Sequence, residues 1–129
     1  MTIGATAVED CCILIAEDDE PLRSSLAELL ATDRHHVLEA GDGAAALAVL
    51  RGGTVDVLVL DLHMPKMNGL ELLNSIDVPP PEVIVYSAFE YFDADDLERR
   101  LGTKIRVSLR KPVSPAVLIA AVESACSNH

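Results

Sequence analysis

The segment that most constrains the fold is a short apolar run that ends in an acid. Residues 57–60 read Val-Leu-Val-Leu, and Asp61 follows at once. A continuous branched apolar run is typical of a strand buried on both faces, as in parallel sheets. A carboxylate at the end of such a strand is costly unless something stabilises its charge. Because ligands in open parallel sheets sit at the carboxyl ends of strands, Asp61 is a candidate for chemistry, although an Asp there can also simply end a strand.

Four other apolar runs occur along the chain, separated by segments with helical periodicity. The predicted strands are Cys11–Ala16, His35–Ala40, residues 57–60, residues 82–86 and residues 104–109. A helix is predicted after each strand; the fourth covers residues 90–101, and Ser114-Pro115 begins the fifth as a cap and a first-turn proline. Five strands alternating with five helices predict an α/β fold, in which helices cover both faces of a parallel sheet.

Length, charge and cysteine content limit the classes of protein. The 129 residues fit one domain, with residues 1–10 predicted to be a flexible N-terminal tail and residues 11–127 the folded domain. A net charge of −11 argues against direct binding to nucleic acid or to an anionic membrane, and no run is long enough to span a bilayer. Cys11, Cys12 and Cys126 form an odd set without metal-like spacing, which predicts reduced thiols in a cytoplasmic protein.

Polar side chains stand where four of the predicted strands end. They are Glu17 and Asp18, Asp61, Ser87, and Lys111. Taken singly, each has an ordinary explanation, such as a solvated helix N-terminus, a turn serine or a surface cation. In a parallel sheet, however, these ends share one edge, and clustered carboxylates repel unless a hard cation such as Mg²⁺ joins them. A metal beside a carboxylate, a hydroxyl and an ammonium group suits a phosphoryl group, which a carboxylate nucleophile can accept.

Four segments, in order, resemble the receiver domain of the two-component response-regulator family. They are ILIAEDDEPLR, VLVLDLHMPKMNGLELL, VIVYSA and LRKP, and the DxxMPxxxG pattern around Asp61 is the most specific of them. The resemblance extends over about residues 11–127. It implies a doubly wound (βα)5 flavodoxin-like sandwich, with a five-stranded parallel sheet in the order 2-1-3-4-5. It also implies a cis peptide bond between Lys111 and Pro112.

The resemblance implies that the chain is a phosphoacceptor switch rather than an enzyme. Asp61 would accept a phosphoryl group from a phosphohistidine on a sensor histidine kinase or a histidine phosphotransfer protein. Ser87 would bond a phosphoryl oxygen, and Lys111 would pair with the phosphate or with Asp61. The signal would then pass to a downstream protein effector or to an output domain outside this sequence.

The resemblance also implies a metal site for Mg²⁺, or Mn²⁺. Asp18 would bind the metal directly, and Glu17 would act mostly through water. Asp61 and the backbone carbonyl of His63 would complete the protein ligands. Asp19, one position beyond the acidic pair, is expected to be exposed.

Two positions are expected to govern the lifetime of the phosphorylated state. By resemblance, His63 and Phe89 flank the route of the attacking water. The bulky Phe89 is predicted to obstruct that water, and a neutral His63 would help to orient it. We expect the steric effect to dominate.

One departure from the family pattern concerns how the signal leaves the domain. Ser108 stands where the family usually has Tyr or Phe, three residues before the site lysine, and Gly102 lies further from that lysine than usual. Because a ligand shifts an equilibrium only through differential interaction with its two states, a missing ring moves the response elsewhere. We predict that it lies in the aromatic cluster at residues 86–92 and the acidic segment at 93–98.

Two other functions fit the same residues. The domain would be a docking module whose output ignores phosphate, which the missing aromatic ring favours and the intact acidic, Ser and Lys set opposes. Alternatively, it would be a Mg²⁺-dependent phosphatase, with His63 as the nearest general acid. Stoichiometric phosphorylation, no modification or multiple turnover would distinguish the three functions.

Overall fold

A computed structural model describes residues 10–31, 34–64, 67–76, 80, 82–87 and 93–128. The strands are β1 (Cys11–Ala16), β2 (His35–Ala40), β3 (Val57–Asp61), β4 (Glu82–Ser87) and β5 (Val107–Arg110). The helices are α1 (Glu20–Leu30), α2 (Gly43–Leu50), α3 (Gly69–Ser75), α4 (Ala94–Leu101) and α5 (Pro115–Asn128). All strand pairs are parallel, in the order β2-β1-β3-β4-β5. The predicted (βα)5 fold and strand order are confirmed.

The central strands divide an aliphatic core into two layers. Odd-numbered residues of β1 and β3 pack under α1 and α5, in a cluster that includes Ile13, Val59 and Leu118. Even-numbered residues pack under α2, α3 and α4, in a cluster that includes Leu14 and Leu58. Successive strand residues point to opposite faces, so a strand covered on both sides must be apolar throughout. Every residue of β3 is buried, as the run before Asp61 predicts.

Side-chain caps fix where all five helices begin. In each, a carboxylate, amide or hydroxyl oxygen accepts a backbone N–H in the first turn, which is the usual capping arrangement. The caps are Asp19 on α1, Asp42 on α2, Asn68 on α3, Asp93 on α4 and, as predicted, Ser114 on α5. These caps fix the loops that follow β1, β2 and β3 at the carboxyl edge of the sheet.

Two element boundaries differ from the sequence predictions. Strand β5 begins at Val107 rather than at residue 104. The bonds to β4 start with the Arg106 N–H, which donates to the Val83 carbonyl over 2.8 Å, and the Ile105 N–H donates to Oε1 of Glu98 over 2.8 Å. Helix α4 begins at Ala94 rather than at residue 90, because Asp93 is its cap; residues 90–92 lie outside the described residues. The predicted tail also lies outside them, except for Asp10.

The expectation of three reduced thiols is wrong. Cys11 and Cys126 form a disulfide that joins the first residue of β1 to the last turns of α5, with their Cα atoms 5.8 Å apart. Cys12 is a free, half-buried thiol. The two partners are 115 positions apart in sequence, so nothing local signals the pairing. Among the described residues, no helix is long and apolar enough to cross a lipid bilayer.

Candidate phosphorylation site

The predicted polar residues meet at the carboxyl edge of the sheet. Glu17 follows β1 directly, Asp61 ends β3, Ser87 ends β4, and Lys111 follows β5. The backbone N–H of Lys111 donates to the Ser87 carbonyl over 2.8 Å, so the chain stays paired with β4 for one residue beyond the end of β5. The Lys111–Pro112 peptide bond is cis, as the resemblance implies. The ends of four strands therefore bring an ammonium group, a hydroxyl and carboxylates to the same edge.

The Lys111 ammonium group lies between two buried carboxylates. Its Nζ is 2.8 Å from Oε1 of Glu17 and 3.3 Å from Oδ2 of Asp61. Glu17 is fully buried, and Asp61 is 3% exposed. Buried charges are tolerated when they are paired and hydrogen-bonded. One cation thus serves two carboxylates, and its shorter bond goes to Glu17.

Tyr86 is a site residue that the sequence analysis assigned only to the aromatic cluster after β4. Its hydroxyl donates to Oε1 of Glu17 over 2.7 Å, and its ring centroid is 4.6 Å from Lys111 Nζ. A signal was present: Tyr86 brings a polar atom to the end of an otherwise aliphatic strand, and a buried phenol needs a hydrogen-bond partner. The hydroxyl keeps its proton, since burial and the neighbouring Glu17 carboxylate raise the pKa of Tyr86.

Arg23 is a second residue that was missed, and it holds the backbone next to the site. Its Nη1 donates to the Glu17 carbonyl over 2.7 Å, and its Nε donates to Oε1 of Glu39 over 3.1 Å. The bond to the Glu17 carbonyl is partly buried, whereas the bond to Glu39 is exposed to water. Arg23 thereby ties α1 and β2 to the end of β1.

The two buried carboxylates differ in protonation. Burial alone would raise the pKa of Glu17, but hydrogen bonds from Lys111, Tyr86 and the Asp19 N–H lower it to about 2. Burial raises the pKa of Asp61 to about 7, reinforced by the Glu17 charge and opposed by the His63 N–H. The two carboxylates raise the pKa of Lys111 despite its burial. Glu17 is therefore a fixed anion, whereas Asp61 is an acid whose charge is poorly stabilised without a further cation.

Three carboxylates form a cluster that suits a hard divalent cation. One oxygen each of Glu17, Asp18 and Asp61 lie within 4.8 Å of one another. Asp18 is exposed as a residue, but partial desolvation of its carboxyl group, together with the neighbouring Glu17, raises its pKa. Mg²⁺ takes oxygen ligands and keeps several waters, so an edge with two buried acids and one exposed acid fits it. Asp19 is exposed, as expected, and its side chain caps α1 instead.

The Ser87 hydroxyl is a buried polar group that can still donate a hydrogen bond. Ser87 is 2% exposed, and within the part of the chain that the structure describes its Oγ makes no hydrogen bond. A buried hydroxyl without a partner is costly, and native structures usually satisfy such groups with protein, water or ligand. It stands one position beyond Tyr86, which is the register partner of Asp61.

The loop after β3 folds back tightly beside Asp61. The His63 N–H donates to Oδ1 of Asp61 over 2.9 Å, and the Gly69 N–H donates to the Leu62 carbonyl over 3.0 Å. A Cβ on Gly69 would lie 2.7 Å from Cα of Leu62 and 2.9 Å from the Asp61 carbonyl oxygen. Gly69, the last residue of the DxxMPxxxG pattern, is therefore required by close backbone approach.

Three predicted positions remain: Ser108, Phe89 and the backbone carbonyl of His63. Ser108 lies in β5 as the register partner of Val85 and is half-buried. Phe89 lies outside the described residues, so its predicted effect on hydrolysis stays a prediction. The backbone N–H of His63 reaches Asp61, whereas the ligand role of its carbonyl stays a prediction.

Comparison with known proteins identifies the family. Residues 13–123 match the response regulator receiver domain, and the chain belongs to this family. It is 36% identical over 115 residues to the transcriptional regulatory protein CpxR of Klebsiella pneumoniae, covering 87% of this chain and 47% of that protein. It is 32% identical to the transcriptional regulatory protein PdtaR of Mycobacterium tuberculosis, covering 98% of this chain and 62% of that protein.

The solved structures agree with this assignment. The receiver domain of the Francisella response regulator 1452 superimposes with a TM-score of 0.73 at 26% identity, covering 91% of this chain and 97% of that one. The chain spans about half the length of the curated relatives it matches, from 31% to 62% in the first three. Members of the family generally bind Mg²⁺ at an acidic pocket, and Glu17, Asp18 and Asp61 form an acidic cluster in this chain.

Proposed function

We propose that this receiver domain accepts a phosphoryl group on Asp61 from a phosphohistidine on a sensor histidine kinase or a histidine phosphotransfer protein. The observation that carries the proposal is the placement of Lys111, whose Nζ bridges Glu17 and Asp61 at the sheet edge. A cation held by a second carboxylate beside a nucleophilic one is positioned to neutralise an incoming phosphoryl group. Phosphoryl transfer needs mainly such positioning and charge neutralisation.

The transfer exchanges one bond to phosphorus for another. A carboxylate oxygen of Asp61 attacks phosphorus, the new O–P bond forms, and the P–N bond to the donor imidazole breaks with its electron pair leaving on nitrogen. Lys111 stabilises the charge of the phosphoryl oxygens, and the Ser87 hydroxyl donates to one of them. Asp61 must lose its proton first, since only the carboxylate is a nucleophile.

Mg²⁺, or Mn²⁺, is the proposed cofactor. Asp18 and Asp61 would hold it directly, Glu17 through water, and the His63 carbonyl would be a further ligand. When bound, the metal supplies positive charge that favours ionised Asp61 and neutralises phosphoryl oxygens. The acidic cluster supports this assignment, because uncompensated carboxylates at such distances repel.

The proposal also covers partners and location. The domain would act as a switch rather than as an enzyme with turnover, and its output would be a protein effector or an output domain beyond this sequence. The net charge of −11 supports a protein partner over direct binding to nucleic acid or membrane. The cytoplasmic location rests on the proposed donor alone, because phosphohistidine is made from ATP; the cysteine content no longer supports it, since Cys11 and Cys126 are paired.

Treatment with acetyl phosphate and Mg²⁺, followed by mass spectrometry of the intact protein, tests the proposal. We expect one phosphoryl group per chain, its loss in Asp61→Ala, and no labelling when EDTA replaces Mg²⁺. Asp19→Asn is the matched control, since Asp19 is an exposed acid two positions from Glu17 that caps α1. It should be labelled like the wild type.

Three outcomes would contradict the proposal. Labelling that persists in Asp61→Ala would place the phosphoacceptor elsewhere. No labelling with acetyl phosphate or with a phosphorylated histidine phosphotransfer protein would support a docking module whose output ignores phosphate. Many turnovers of donor per chain would indicate a phosphatase.

A further inference from the structure

Tyr86 makes two contacts at the site that an aliphatic residue at the end of β4 cannot make. Its hydroxyl donates to Oε1 of Glu17 over 2.7 Å, and its ring lies 4.6 Å from Nζ of Lys111. These two partners are themselves joined, because Lys111 donates to the same Oε1 over 2.8 Å. A cation within about 6 Å of an aromatic ring face is attracted to it. One side chain therefore contacts both members of the ion pair.

We propose that Tyr86 is a positioning residue of the phosphorylation site. Its hydroxyl fixes the Glu17 carboxylate and its ring fixes Lys111, so that Asp61 meets its cation in a single geometry. The positioning is a property of the metal-free protein. Its consequences for Mg²⁺ binding and for phosphorylation rest on the proposed function.

The hydrogen bonds of Glu17 explain why the hydroxyl matters. Oε1 accepts from Tyr86 and Lys111, and Oε2 accepts from the Asp19 N–H over 3.1 Å. Three donors on both oxygens leave this buried carboxylate one orientation. Without the hydroxyl, the only remaining donor to Oε1 is the Lys111 ammonium group, whose side chain is flexible. The Glu17 carboxylate and that ammonium group can then change orientation together. Loss of such an orienting partner typically weakens metal binding about 10- to 100-fold.

A packing role is the alternative, and two variants of Tyr86 separate it from positioning. The ring lies in the same core cluster as Leu26 and Leu118, so it also fills space between β4 and the helices α1 and α5. Tyr86→Phe removes only the hydroxyl, whereas Tyr86→Leu removes the ring as well. Val122→Ala is the matched packing control, because Val122 is fully buried in that cluster and its side chain has no polar atom.

Two measurements without a phosphodonor test the proposal. Calorimetry gives the Mg²⁺ affinity, and ¹⁵N NMR of the metal-free protein gives the hydrogen-exchange rate of the Lys111 ammonium group. In Tyr86→Phe we expect Mg²⁺ binding about tenfold weaker and faster ammonium exchange. In Tyr86→Leu the rate of phosphorylation should also fall, because Lys111 loses the ring. Val122→Ala should lower only the stability.

The proposal is overturned if Tyr86→Phe matches the wild type in both Mg²⁺ affinity and ammonium exchange, or if Val122→Ala changes both as much as Tyr86→Phe does. Failure of the proposed function looks different. In that case the wild type accepts no phosphoryl group, while the ammonium exchange of the metal-free variants still ranks them as above and supports the positioning role.

Discussion

The ends of β1 and β3 lie side by side, carry one buried carboxylate each, and share one lysine, yet they are built differently. Glu17 accepts hydrogen bonds from Lys111, Tyr86 and the Asp19 N–H. Asp61 accepts the His63 N–H and a longer bond from the same lysine. The pKa of Glu17 is lowered to about 2, and that of Asp61 is raised to about 7. The acid with three donors keeps its charge, and the acid with two is the phosphoacceptor of the proposed function.

The same contrast extends to the other end of β1. The first residue of β1, Cys11, is covalently joined to α5, so this strand is fastened at its start by the disulfide and after its end by Glu17. Strand β3 is held instead by burial of all five residues between two neighbouring strands. The proposed phosphoacceptor thus lies on a strand held by packing, next to a strand that a disulfide and an ion pair also hold.

Removing the disulfide is expected to have the largest effect on stability. In Cys126→Ser the unfolded chain regains the conformational freedom that a 115-position crosslink removes, and stability should fall by about 4 kcal/mol. Urea unfolding without reductant measures this. Cys12→Ser, which changes the free thiol next to Cys11, is the control and should change stability far less. An equal loss in both variants would show that the pairing does not fasten β1.

The two carboxylates should respond oppositely to isosteric substitution. Glu17→Gln removes the charge that Lys111 and Tyr86 stabilise, and breaking a buried pair from one side costs about 3 kcal/mol. Asp61→Asn removes a poorly stabilised charge and should stabilise the metal-free protein above neutral pH. Urea unfolding in EDTA compares the two variants. If Asp61→Asn costs as much as Glu17→Gln, the two strand ends are equivalent and the comparison fails.

Without metal, Glu17 and Asp61 should change the stability of the protein in opposite directions as pH rises. Between about pH 4 and 7 the unfolded chain has lost the Asp61 proton and the folded protein retains it, so stability falls as pH rises. Glu17 acts in the opposite direction: its contribution is present above about pH 4.5 and is lost as pH falls toward 2. Urea midpoints across this range should decline for the wild type and stay nearly level for Asp61→Asn. A parallel decline in that variant would show that Asp61 is not the group responsible.

The sequence predicts the fold and most of the site because both follow from local patterns. The bounds of β1 and β2 follow from apolar runs, and the convergence of Asp61 and Lys111 follows from the rule that parallel strands end at one edge. The start of β5 does not follow, since the apolar pattern begins at residue 104 and the first bond to β4 is made only by the Arg106 N–H, to the Val83 carbonyl.

Long-range pairings account for the rest. Tyr86 and Glu17 are 69 positions apart, and nothing near either residue specifies the other. The disulfide spans more of the chain still, and the odd number of cysteines argued against it. In both cases the partner is selected by the tertiary fold, which brings the sheet edge or the end of α5 within reach.

The smallest effect is expected at Ser108. It lies in β5, paired in register with Val85, and the contacts that hold Glu17 and Asp61 come from other residues. Ser108→Ala should therefore be labelled by acetyl phosphate nearly as well as the wild type. The ¹³C chemical shifts of the Glu17 and Asp61 carboxyl groups should also stay nearly unchanged. If this variant accepts phosphate but loses the chemical-shift changes that phosphorylation causes elsewhere in the wild type, Ser108 belongs to the output switch.

The bond between Cys11 and Cys126 also makes the domain a closed covalent loop. A protease that cuts once between these residues leaves a single molecule with two new ends inside the loop and all five strands still attached. On a non-reducing gel such a nicked protein runs as one band, and on a reducing gel it separates into two. A cut in a connection at the edge of the sheet opposite Asp61, such as the turn around Gly53, therefore yields two pieces that the disulfide still joins. Their reassociation is intramolecular and does not depend on protein concentration.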